Sequence, residues 1–320
     1  MSRCIRVLLL ALAGTIAGTG GSTGAPGDAG LAVVRLDGGL QPLARLAGDE
    51  WQPLVPADAA GTWNLWLFDD PVLRASPFAA RTARPVSAAA AAANAGCLPL
   101  SGLDPALLAA AGTGSAASRD ASPPGAAVLV GIALRGSDVR PDLPVAVAAD
   151  SDLGTQLTAR AAAAFHRAED ETLTLEAEEL PAGFPRFADR RQRPITWTRI
   201  ARQGLAQAAA KTYYLEGWKD YEGFRGRTDI GQIRTTGHVF VQMSGERETI
   251  DAEVDLSDLD GHQSMFRTPL AVVAWPARAA WLFATRGSDG SHLEIVELTP
   301  GTGRPRSVWE GPDGCERGTP

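Results

Sequence analysis

TYYLEGW, residues 212–218, decides the fold, because its side chains sort by twos. Successive side chains of an extended strand point to opposite faces. Tyr213, Leu215 and Gly217 therefore share one face, and Tyr214, Glu216 and Trp218 share the other. The same period governs the text around it. ITWTRIA (195–201), HVFVQM (238–243), ETIDAEVDL (248–256), LAVVAW (270–275), AAWLFAT (279–285), HLEIVEL (292–298) and RSVWEG (306–311) are short runs divided by turn-forming text such as SGER, SDLDGHQ and TPGTGRP. Short strands at near-regular spacing predict an antiparallel sheet of sandwich-like or curled form.

Upstream, SDLGTQLTARAAAAFHRAEDETL (151–173) changes to the helical period. Leu153, Leu157, Ala161, Ala164, Phe165 and Ala168 form a single apolar stripe, so the helix has one side to bury and is the natural cover for one sheet face. Ser151 or Asp150 supplies the side-chain oxygen that caps its start. AAVLVGIAL (126–134) reads as a buried strand. Near the start, LAVVRLDGGLQPLARLAGDEW carries an Asp-Gly turn between strand-like runs, which predicts a β-meander continuing through TWNLWLF. The fold class is thus α+β, mostly antiparallel β: an N-terminal meander, one long amphipathic helix and a C-terminal antiparallel sheet.

The expected organisation is a leader at 1–25, a small β region at 31–73, a loop or linker at 74–125, a main α+β domain at 126–310 and a tail at 311–320. The 74–125 stretch is built of Ala, Ser, Gly and Pro, which offer little apolar surface to offset ordering entropy. Within it, DPALLAAAG (104–112) predicts a short helix that opens with Pro105 and closes at Gly112. LFATRGSDGSHLEIVELTPGTGRPRSVWEG resembles one blade of a β-propeller repeat, and VVRLDGGLQPLARLAGDEW echoes it. No third copy recurs at a fixed period and the long helix interrupts the series, so hairpins with Asp-Gly turns account for the likeness.

The first residues place Arg3 and Arg6 ahead of an apolar run from Val7 to Ala17, followed by small residues. That is the order of a secretory signal, and the run is too short for a transmembrane anchor. A periplasmic or secreted protein is expected, with cleavage after Ala17 or near Ala25. The formal net charge of −7, made more negative by loss of Arg3 and Arg6, disfavours nucleic acid as a partner. Of the three cysteines Cys4 leaves with the leader. An oxidising compartment then predicts a Cys97–Cys315 disulfide, the alternative being two free buried thiols.

Four constellations bear on chemistry. DLSDLDGHQ (255–263) invites a calcium reading, but placing Asp258, Asp260 and Gly261 at loop positions 3, 5 and 6 puts Leu256 at position 1 and Arg267 at position 12. Both ends lack a ligand, and His262 has no zinc partner nearby, so the stretch reads as a turn. His166 with Glu169 and Asp170 shares a helix face expected to be solvated. His238 and His292 begin strands and gain meaning only if they converge. Ser288 lacks the strand-to-helix elbow of a catalytic serine, and no phosphate loop or dinucleotide fingerprint occurs.

That leaves Tyr214, Glu216 and Trp218. If exposed, they make an aromatic and carboxylate platform of the kind that stacks sugars or peptides; if covered, they are core. No catalytic residue, metal or cofactor is assigned. The sequence predicts an exported, non-catalytic β-rich protein whose partner is an extracytoplasmic ligand or protein. The rival is an extracytoplasmic hydrolase of glycans or peptides that uses Glu216.

Overall fold

A computed structural model of the protein describes residues 29–35, 39–47, 50–54, 61–68, 80–88, 98–101, 129–135, 141–142, 144–178, 180–203, 211–225, 232–257, 266–275, 278–287, 290–298 and 305–312. The fold is α+β and mostly antiparallel β. All eight C-terminal segments form strands: β10 (Thr196–Gln203), β11 (Lys211–Arg225), β12 (Gln232–Ser244), β13 (Arg247–Ser257), β14 (Phe266–Trp275), β15 (Arg278–Gly287), β16 (Gly290–Leu298) and β17 (Pro305–Pro312). β11 outruns its expected turn, because YEGFR stays extended past a register shift between Tyr221 and Arg225.

These strands build two sheets. The first has the order β13-β12-β11-β10 followed by the short strand β9 (Pro144–Ala146), and the second the order β17-β16-β15-β14 followed by β8 (Pro141–Asp142). β8 and β9 are near-continuous in sequence, pairing first with β14 and then with β10. They stitch the two sheets along one side. Tyr214 and Phe240 of the first sheet meet Trp281, Phe283, Val272 and Val296 of the second in a common core.

The helix α1 (Asp152–Leu175) covers the other face of the first sheet, and the Ser151 hydroxyl caps it by accepting the Gly154 N–H at 3.1 Å. Leu157, Ala161, Ala164 and Phe165 pack on Tyr213, Leu215, Val239 and Val241. Close approach is possible because Gly217 and Gly237 stand directly opposite one another across β11 and β12. A Cβ on Gly237 would lie 2.3 Å from the Phe165 ring, and one on Gly217 would lie 2.8 Å from Trp197. The two rings meet edge to face at 6.0 Å over this bare patch. Burying Phe165 completely contributes about 1.5–3 kcal/mol.

The N-terminal strands do more than form a meander. β1 (Ala29–Arg35), β2 (Gly39–Ala47), β3 (Glu50–Pro53), β4 (Gly61–Phe68), β5 (Ala80–Ala88), β6 (Leu98–Ser101) and β7 (Leu129–Arg135) share one sheet. β1 pairs with β2 and β7, β7 with β4, β4 with β5, β5 with β6 and β6 with β2, so six of them close a ring, while β3 hairpins onto β2. Two strands thus fall inside the stretch read as a loop at 74–125, and β7 joins the N-terminal sheet rather than the domain beginning at 126. Strand pairing uses backbone groups, so small side chains do not forbid it. Leu31, Val33, Ile132 and Leu134 of the ring pack on Leu270, Val273, Leu282 and Ile295 of the second C-terminal sheet.

Four layers result: α1, the β9–β13 sheet, the β14–β17 sheet with β8, and the N-terminal ring. Among the described residues no helix is long and apolar enough to cross a membrane. Cys97, Cys315, the expected helix at 104–112, Ser288 and residues 258–263 of the acidic turn lie outside the described residues.

Candidate functional site

Both faces of β11 are covered, one by α1 and the other by the second sheet, and each holds a polar cluster beyond its apolar part. On the sheet–sheet side the residues of TYYLEGW grade from core to rim. Tyr214 is wholly buried, Glu216 is 2 % exposed and Trp218 is partly buried. The platform face is therefore an interface between sheets, with only Trp218 reaching its edge, where Arg234 stacks 4.5 Å from the indole centroid.

Strand register places His238 opposite Glu216, and Glu253 opposite His238. Glu216 accepts the Arg267 backbone N–H at 3.0 Å, the Tyr214 hydroxyl lies 3.2 Å away, the Thr198 hydroxyl 3.3 Å and the Arg199 guanidinium 3.5 Å. The Tyr214 hydroxyl is also 2.8 Å from His238 Nδ1 and 3.3 Å from the Arg267 carbonyl. With one proton to give, it donates along one of these contacts at a time. Burial, then the nearby Glu216 carboxylate, raise its pKa well above the ordinary phenol value, so it works as a neutral hydroxyl. The far nitrogen of His238, Nε2, is buried without a hydrogen bond, 3.7 Å from Asp255 Oδ2.

Arg267 closes this cluster. Its Nε and Nη2 donate to the two oxygens of Glu294 at 2.8 and 2.9 Å, and its Nη1 donates to Glu253. Burial opposes the charge, but Glu294 and Glu253 outweigh it and hold the guanidinium above its ordinary value. Chemically the site is a set of mutually satisfied charges. Strand pairing brings His238 to Glu216, whereas His292 sits on β16 opposite Thr285. Among the described residues no group of three or more His, Cys, Asp or Glu is placed to hold a metal ion.

The second cluster lies under α1 and corrects the reading of His166 and Glu169 as a solvated face. Glu169 is 1 % exposed, and only about 15 % of the His166 side chain is open. Leu157, Ala161, Phe165, Glu169 and Leu173 recur every four residues and are all buried, so Glu169 belongs to the packing row. It is accommodated because the sheet answers it. The Lys219 ammonium donates to Glu169 Oε2 at 2.6 Å, and the hydroxyls of Tyr221 and Thr235 each donate to Oε1 at 2.7 Å. Lys219, one of two lysines in the chain, falls on the Tyr213 and Leu215 face by strict alternation; that position is the signal that finds it.

Compared with known protein families, with curated proteins and with solved structures, the chain matches none.

Proposed function

We propose that this is an exported, non-catalytic β-rich protein with a binding or structural role outside the cytoplasm. One observation carries the reading. Glu216, the carboxylate best suited to acid or base work in the rival hydrolase, is 2 % exposed and already surrounded by the Arg267 amide, two hydroxyls and Arg199. A general acid or base must reach a substrate proton within hydrogen-bond distance. Of the three platform residues, Trp218 has surface to offer, beside Arg234. The rim around Trp218 is where a ligand or partner protein meets the first sheet. The leader order of Arg3, Arg6 and the Val7–Ala17 run supports the location.

The test pairs Glu216→Gln with Trp218→Ala on protein purified from its native host. The mature N-terminus should lie between Gly18 and Leu31. Trp218→Ala should keep the fold and lose binding on a glycan and peptide panel. Hydrolysis of any panel member by wild type, abolished in folded Glu216→Gln, would overturn the proposal in favour of the enzyme.

A further inference from the structure

α1 is followed by a strap, residues 180–193, that crosses the end of the first sheet and includes the short helix α2 (Phe187–Gln192). We propose that this strap is a pH-released flap, latched by Lys219 and unlatched when His166 takes up a proton. The inference is independent of the proposed binding role.

The strap is held by polar contacts. Arg190 is its only buried residue; Phe184 and Phe187 are each partly covered. Arg190 pairs with Asp170 and donates to the Pro185 carbonyl at 2.8 Å. Arg193 donates to the Asp220 carbonyl at 3.2 Å and lies 5.2 Å from the centre of the Tyr221 ring, on which Phe184 also packs. The contact that reaches deepest is Lys219 Nζ to the Arg190 carbonyl, 3.0 Å.

Lys219 has three N–H groups and three acceptors: Glu169 Oε2, the Arg190 carbonyl and His166 Nδ1 at 2.8 Å. An ammonium has no lone pair, so His166 Nδ1 must supply one, and the ring is neutral with its proton on Nε2. A proton added at Nδ1 would set two donors and two positive charges face to face at that distance. From α2, Arg191 adds further positive charge; from its own helix, Glu169, 3.8 Å away, opposes it, while Arg190 and Asp170 pair with each other. Burial and Lys219 outweigh Glu169 and lower the His166 pKa, so neutrality belongs to the latched state. Acid therefore displaces Lys219 from the arrangement that ties down Arg190. Tyr221 and Lys219, both covered now, become accessible.

Amide hydrogen exchange of the mature protein tests this. The strap offers hydrogen-bonded amides at Phe184, Asp189, Arg190 and Arg193. Exchange is followed by mass spectrometry from about pH 7.5 to about pH 5 and corrected for intrinsic rates. Strap protection should be lost at the acid end while β12 stays protected. His166→Asn sets its amide Oδ1, an acceptor that does not titrate, near the position of Nδ1, and its strap should show no pH response. If that variant folds poorly, His166→Gln, whose amide extends toward the Nε2 position and likewise does not titrate, serves as the non-titrating control. Unchanged protection in wild type, the same response in the folded Asn or Gln variant, or simultaneous loss of strap and β12 would each overturn the proposal.

Discussion

Replacing Arg267 by Met tests whether the inter-sheet charge cluster acts as a unit. Arg267 is 8 % exposed and its fork neutralises Glu294, which is 1 % exposed. Met fills part of the volume but leaves the Glu294 carboxylate buried with, among the described residues, only the Thr285 hydroxyl, 3.4 Å away. Breaking a buried pair by removing one partner costs about 3–5 kcal/mol, because the survivor keeps its desolvation penalty. Glu253 adds little to that cost, since its side chain is 40 % exposed and finds water. The Arg267 backbone N–H to Glu216 survives the substitution. Adding Glu294→Leu removes the stranded charge, so the double variant should return to within about 1–2 kcal/mol of wild type. Urea titration gives each value as a shift in midpoint at constant slope. A single-variant loss below about 1 kcal/mol, or a double variant as unstable as the sum of the singles, would refute the reasoning.

Gly237→Ala should destabilise by about 1–3 kcal/mol, since its Cβ enters the Phe165 ring at 2.3 Å, and Phe165→Leu in the same chain should recover part of that loss in thermal melts. Burial first, then neighbouring carboxylates, raise the pKa values of Tyr214 and Tyr221, so their contribution is intact below the ordinary value of 10.0 and is lost as pH rises above it. Lys219, lowered by burial, acts oppositely but only up to its ordinary 10.5, so stability should fall beyond that point, with these two phenols ionising only as the chain unfolds in a spectrophotometric titration. Cys97 and Cys315 of exported protein should resist alkylation until reduced, and two thiols labelled in folded, unreduced protein would reject the bond.

What the sequence made legible is what local chemistry fixes. Period-two runs located eight strands, and the apolar stripe with its Ser151 cap located α1. The layer order was harder to read, although one sign was present. AAWLFAT and LAVVAW are continuously apolar, the mark of a sheet covered on both sides. Ala280 and Leu282 indeed face the ring while Trp281 and Phe283 face the first sheet. In the candidate site, Tyr214 and Glu216 share a face by alternation alone. Their meeting with His238 depends on the register of β11 and β12, and Arg267 reaches Glu294 only through the pairing of three strands. Such contacts are set by topology, which no local period encodes.

The two polar clusters also do something the apolar pattern cannot. A one-residue slip of β11 would turn every side chain to the wrong face and is excluded by hydrophobicity alone. A two-residue slip keeps the faces, and in one direction Tyr213 would lie opposite Met243 and Leu215 opposite Val241, both apolar partners. It would, however, displace the strand by about 6.6 Å. Lys219 would then leave Glu169 buried without its ammonium, Glu216 would lose the Arg267 amide, and a side chain would replace Gly217 beneath Trp197. Because the clusters lie on opposite faces of one strand, both are broken by the same movement. The register of β11 is therefore selected by the cost of stranding buried charges on two sides, with the Gly217 and Gly237 pair rejecting what the charges would tolerate.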